Sequence, residues 1–153
     1  MLLADALKSI QGSGAWFWWV AGLSVINTLS VLFDLKYGMA LGLGITQVID
    51  AVFSFDENGE WVQIDTVARA LHLGIVALIA GAFYALGRSA RQYSATAFLV
   101  GMALYALDAL IFVLVGDWIG VGFHAFVLFM LWGGYSLLRA ARREAPEAVT
   151  AAA

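Results

Sequence analysis

The feature that most constrains this chain is the near-exclusion of charge from four long stretches. They lie at about 14–34, 66–87, 93–116 and 119–138. Each is close to or above the ~20 predominantly apolar residues that an α-helix needs to cross a hydrocarbon core. In such a medium every backbone N–H and C=O must be satisfied within the chain, so runs of this kind are predicted as helices. Composition agrees: 63% of the residues are hydrophobic and 12% charged, whereas a soluble domain carries roughly 25% charge. That excludes a soluble enzyme and a disordered chain. A net charge of −3 offers no basic field to DNA or RNA, so no nucleic-acid partner is expected. There is no cysteine, which removes disulfides, thiolate metal sites and cysteine nucleophiles. The single proline, Pro146, lies in the C-terminal tail, so no apolar run is interrupted by one.

The expected fold is an all-α, polytopic transmembrane helix bundle over 14–138. The run Ala15–Phe33 follows Lys8 and is longer than a secretory signal core of about 7–15 residues. No small-x-small pattern follows it, so it is read as a retained span. The connections Arg88–Gln92 and Asp117–Trp118 are short, which makes the last three helices antiparallel neighbours. Residues 1–13 place Leu2, Leu3, Ala6, Leu7 and Ile10 on one face and are read as an interfacial segment. Residues 139–153 fade into alanines and are expected to be a disordered cytoplasmic tail.

Orientation follows from arginine placement. Arg88 and Arg91 lie in one loop, and Arg139, Arg142 and Arg143 follow the last span; two spans apart, they share a side, predicted cytoplasmic. The loop 56–65, with Asp56, Glu57, Glu60 and Asp65, then faces outward as a solvated connector. Trp16, Trp18, Trp19, Trp61 and Trp118 fall near helix ends as an interfacial belt, with the Trp-Phe-Trp-Trp run at 16–19 as an anchor. The expected location is the cell membrane. The expected partners are the lipid bilayer and a homo-oligomer or larger membrane complex.

The stretch 37–55 is apolar but carries Thr46, Gln47, Asp50 and Ser54 as a polar stripe at helical spacing. A short membrane-embedded or interfacial helix at about 39–55 gives four spans, with both termini inside. A full crossing gives five spans and an outward N-terminus. Lys8 and Lys36 weigh equally on the two alternatives, and Asn27 favours four spans. With the N-terminus inside, Asn27 reaches the depth of the ionisable groups described next.

Ionisable groups in a bilayer are costly and mark candidate sites. Here they are Asp50, His72, Asp108 and His124. His72 is six residues past Thr66, Asp108 nine before Asp117, His124 six past Trp118 and Asp50 six before Asp56. At ~1.5 Å per residue all four lie roughly 9–13 Å below the same outer surface. With Asn27, Gln47 and Tyr105 they form the candidate ligand or proton site. Gly101, Tyr105, Asp108 and Phe112 share one helix face, as do Gly120, His124, Leu131 and Tyr135. The small residues Ala70, Gly74, Ala77, Gly81 and Ala85 form a stripe that would admit another helix.

Four chemistries suit these residue types. Histidine and aspartate chains relay protons in ion-coupled transport, although the inner half of the bundle shows no matching polar path. His72, His124, Asp108 and Asp50 are also an N/O donor set for a divalent metal, and a metal-bound water would open hydrolysis. His72 and His124 at matched depth are a candidate axial pair for haem, with the carboxylates unwelcome beside it. Finally, the groups can be a purely structural polar knot, in which such bonds average about 0.6 kcal/mol. No soluble-type catalytic motif is present, and Gly42-Leu43-Gly44 reads as a small-residue run, not a nucleotide fingerprint.

Overall fold

The structure is a computed structural model, described over residues 3–33, 41–54, 56, 58–60, 62 and 65–152. Seven helices follow in order: α1 Leu3–Gly14, α2 Trp16–Leu32, α3 Gly44–Ser54, α4 Thr66–Arg91, α5 Ala95–Val115, α6 Trp118–Glu144 and α7 Pro146–Ala152. Among the described residues there is no strand. Four helical stretches are long and apolar enough to cross a membrane: Leu3–Leu32 (α1 running into α2), α4, α5 and α6. The 11 residues of α3 give roughly 16 Å of helix, about half a hydrocarbon core. Among the described residues the architecture is therefore four long helical stretches plus the short α3 and α7, and α3 is too short to serve as a fifth span.

Local chemistry sets the helix ends. Asp65 caps α4 by accepting from the Ala68 N–H at 2.8 Å, so one carboxylate of the acidic loop has a local task. Ser94 caps α5 by accepting from Ala97 N–H. Between α5 and α6, Gly116 takes φ 75°, a left-handed stop that favours glycine. Asp117 then caps α6 through the Ile119 and Gly120 N–H groups. Two adjacent residues thus end one helix and begin the next, which is why the connection is so short.

The N-terminal segment is helical and nearly continuous with α2. The Ala15 N–H bonds to Gln11 O and Gly12 O, so α1 runs on into α2 with only a slight break. Ala6, Ile10 and Gly14 are buried against α6 and the end of α4, while α2 lies mainly on α4. The tail is likewise ordered where disorder was expected. Leu138 and Ala141 prolong the buried face of α6, and α7 docks through Val149. The Arg142 side chain donates to Tyr93 O at 2.8 Å, tying this end to the α4–α5 turn. Pro146, with no N–H to give, sits at the first position of α7, where none is needed.

The Trp-Phe-Trp-Trp run does more than anchor an interface. Phe17 is fully buried in the core against Phe83 and Phe98. Trp16 meets Phe126 edge-on, and Trp18 stacks on Tyr84 while its indole N–H donates to Tyr84 O at 3.0 Å. Only Trp19 is largely exposed. The small-residue stripe of α4 also departs from expectation. Ala70, Gly74, Ala77, Gly81 and Ala85 face outward, and the buried face is His72, Val76, Ala80, Phe83, Gly87 and Ala90. A face bearing a histidine needs hydrogen-bond partners that lipid does not offer, so that face turns inward.

Candidate functional site

The four ionisable groups do not converge on one point; they form two separate buried pairs, both built around α3. Asp50 of α3 accepts from His72 Nε2 of α4 at 2.7 Å. Its carboxylate also accepts from Thr28 Oγ1 at 2.8 Å and from Asn27 Nδ2 at 3.4 Å, both on α2. One short helix is thereby tied to two long ones. The His72 ring lies flat against Phe53, with centroids 5.1 Å apart, and is wholly buried. Its Nδ1 has no hydrogen-bond partner among the described residues.

The second pair joins Asp108 of α5 to His124 of α6, with Nε2 and Oδ2 2.9 Å apart. Asp108 also accepts from the first two backbone N–H groups of α3, Gly44 at 2.7 Å and Ile45 at 2.9 Å. These donors have no partner within their own helix, and a carboxylate there complements the positive end of the helix dipole. The other nitrogen of His124 donates to Gly120 O at 2.8 Å, because a carbonyl can only accept. That fixes the location of one proton by elimination. With Nδ1–H committed, the contact between Nε2 and the carboxylate needs a second proton, on the ring or on the acid. The pair is neutral as a unit in either form. Tyr105 stacks on the His124 ring at 4.2 Å and Phe112 leans on it at 4.7 Å. Gly120 makes this possible: a side chain there would run into the Phe112 ring.

The start of α3 is shaped by residues whose sequence reads only as small. Gly42 has φ 131°, a conformation that disfavours any L side chain, and lies against Ser24 of α2. Ser24 Oγ accepts from Leu43 N–H at 2.8 Å and donates to Val20 O. The Gly42-Leu43-Gly44 run is thus the bend that turns the first N–H groups of α3 toward Asp108.

Of the seven residues expected at the site, Asp50, His72 and Asn27 meet in one pair and Asp108 and His124 in the other. Tyr105 lines the second pair through its ring, while its hydroxyl has no partner among the described residues. Gln47 hydrogen-bonds to neither pair, and its buried Nε2 has no partner among the described residues. Sequence reasoning missed Thr28 and the backbone of Gly44 and Ile45, whereas Ser24 shares a face with Asn27 in the sequence. Thr28 was findable: it is adjacent to Asn27 and four residues past Ser24, on the polar side of the same helix. The backbone donors carry no side-chain signal.

Among the described residues, no three His, Asp or Glu side chains are grouped as a metal would require. Both histidines present Nε2 to a carboxylate of their own, His72 to Asp50 and His124 to Asp108. Comparison with protein-family models, with curated proteins and with solved structures found no match.

Proposed function

We propose that this is an integral, multi-pass protein of the cell membrane that moves protons through the Asp50–His72 pair. One observation carries the reading: a buried imidazole held by a carboxylate on one nitrogen and, among the described residues, unpartnered on the other. A carboxylate in that position fixes the ring's orientation and stabilises the imidazolium when the free nitrogen takes a proton. Thr28 and Asn27 hold the carboxylate in turn. Asp108–His124 has the positioning role, because every polar atom of that pair already has a partner and two of the bonds hold α3 itself. The arginines gathered at the far end of α4 and α6 support placing that end, and the C-terminus, in the cytoplasm.

The test is proton flux in proteoliposomes carrying an internal pH dye, driven by a potassium diffusion potential. The wild-type chain acidifies the lumen, His72→Ala abolishes the flux, and Thr28→Val slows it. Thermal unfolding in detergent confirms that each variant remains folded. Equal flux through folded His72→Ala protein overturns the proposal.

A further inference from the structure

An open groove of about 580 Å³ runs between α2 and α4 on the outside of the bundle, lined chiefly by Trp18, Gly22, Ile26, Gly81 and Tyr84. Its lining is almost wholly apolar, and no part of it belongs to either Asp–His pair. Gly22 and Gly81 keep it open: a methyl group added at either meets nothing within 4 Å. At one end stands Arg91, its guanidinium carbon 4.3 Å above the Trp18 ring. Trp18 is itself pinned by its stack on Tyr84 and its bond to Tyr84 O. Among the described residues neither Arg91 nor its exposed neighbour Arg88 forms an ion pair with a carboxylate. Gly81 lies ten residues before Arg91, which is roughly 15 Å along the helix and matches the depth of one leaflet.

We infer that this groove binds a phospholipid with an anionic headgroup, its acyl chain along Gly22 and Gly81 and its phosphate on Arg91. The parts fit in order: a fixed cation at the membrane surface, an aromatic collar below it, and an apolar furrow reaching the bilayer centre. A guanidinium meets a phosphate with paired N–H donors, and it favours a headgroup of net negative charge over one whose phosphate is offset by a quaternary ammonium. A second copy of the chain is the competing occupant, since small residues admit close helix approach. The exposed bulk of Leu78 and Tyr84 on either side of Gly81 leaves a furrow suited to a flexible chain rather than a flat helix seat. The inference rests on the chain lying in a bilayer, not on its moving protons.

The full chain, purified in detergent, is titrated with palmitoyl-oleoyl phosphatidylglycerol and, separately, with the matching phosphatidylcholine, and read by native mass spectrometry. One phosphatidylglycerol is expected to be retained in preference to phosphatidylcholine. Arg91→Gln weakens that retention about fivefold, the effect of one basic residue at a membrane surface. Gly81→Phe fills the furrow and removes retention of both lipids. Both positions lie at the surface, and thermal unfolding verifies the fold of each variant. Equal retention of the two lipids, or phosphatidylglycerol retention untouched by both variants, overturns the site. So does a detergent-stable dimer that Gly81→Phe splits, which assigns the groove to a second copy. The readout is independent of His72, so failure here and failure of the proton reading are distinguishable.

Discussion

The two Asp–His pairs look alike in residue type and differ in completeness. In Asp108–His124 both ring nitrogens and both carboxylate oxygens are engaged, two of the bonds with the backbone of α3. In Asp50–His72 the carboxylate is held by side chains, and one ring nitrogen has no partner among the described residues. A saturated pair resists change, because moving any member strands the others in a medium that cannot hydrogen-bond. An incomplete pair retains a valence for chemistry. The same two residue types thus form a fully bonded clamp in one place and an incompletely bonded pair in another, and the neighbours decide which.

The sharpest way to break this contrast is to remove the clamp. Asp108→Ala strips α3 of its cap and leaves His124 Nε2 without its partner, so unfolding in detergent should show a loss of about 3 kcal/mol or more. The equivalent change at Asp50 removes side-chain bonds from Thr28, Asn27 and His72 but strands no backbone N–H of α3, and about 2 kcal/mol is expected. Equal losses at the two sites would erase the distinction. Next in size is Gly120→Ala, where the added methyl meets the Phe112 ring against His124. Overpacking of this kind costs about 1–3 kcal/mol, and proton flux in the same sample should persist if the second pair only positions α3. Thr28→Val removes one hydrogen bond to Asp50 and should cost about 1 kcal/mol, measured by the same unfolding assay.

The smallest effect lies outside the four long apolar helical stretches. Asp56 accepts from the backbone N–H of Glu60 at 2.8 Å and of Asn58 at 2.9 Å, which holds its carboxyl below the usual carboxylate range. A depressed value in the folded state means the turn is fully supported above the ordinary carboxylate range. That support is lost as pH falls through the lowered value. The Glu60 amide resonance should therefore shift during acid titration while the resonances of α3 stay put. If the α3 signals move together with it, the loop and the site are coupled and the two regions are not independent.

Much of this was legible in the sequence because the bilayer leaves a helix few options. Charge exclusion over 66–87, 93–116 and 119–138 locates α4, α5 and α6 to within a few residues at most ends. The depth argument, which needs only helical rise, brings Asp50, His72, Asp108 and His124 to one level. It cannot say who pairs with whom, because neighbours at one depth are set by helix rotation. The stripe of small residues on α4 pointed the wrong way for the same reason. Periodicity identifies a face, but only the competing demand of His72 for a partner decides which face turns inward.

What the amino-acid order determined by itself is the class: an all-α bundle with four helical stretches long and apolar enough to cross a membrane, and a few ionisable groups within them. What only the tertiary structure decided is the pairing around α3 and the order of both ends of the chain. Caps and spans are local, fixed by residues within a turn of one another. The pairing rests on contacts such as Gly44 with Asp108, 64 residues apart, made through a backbone N–H that every residue but proline possesses. A donor common to nearly all residues leaves no mark in a sequence, and becomes specific only when the fold places it.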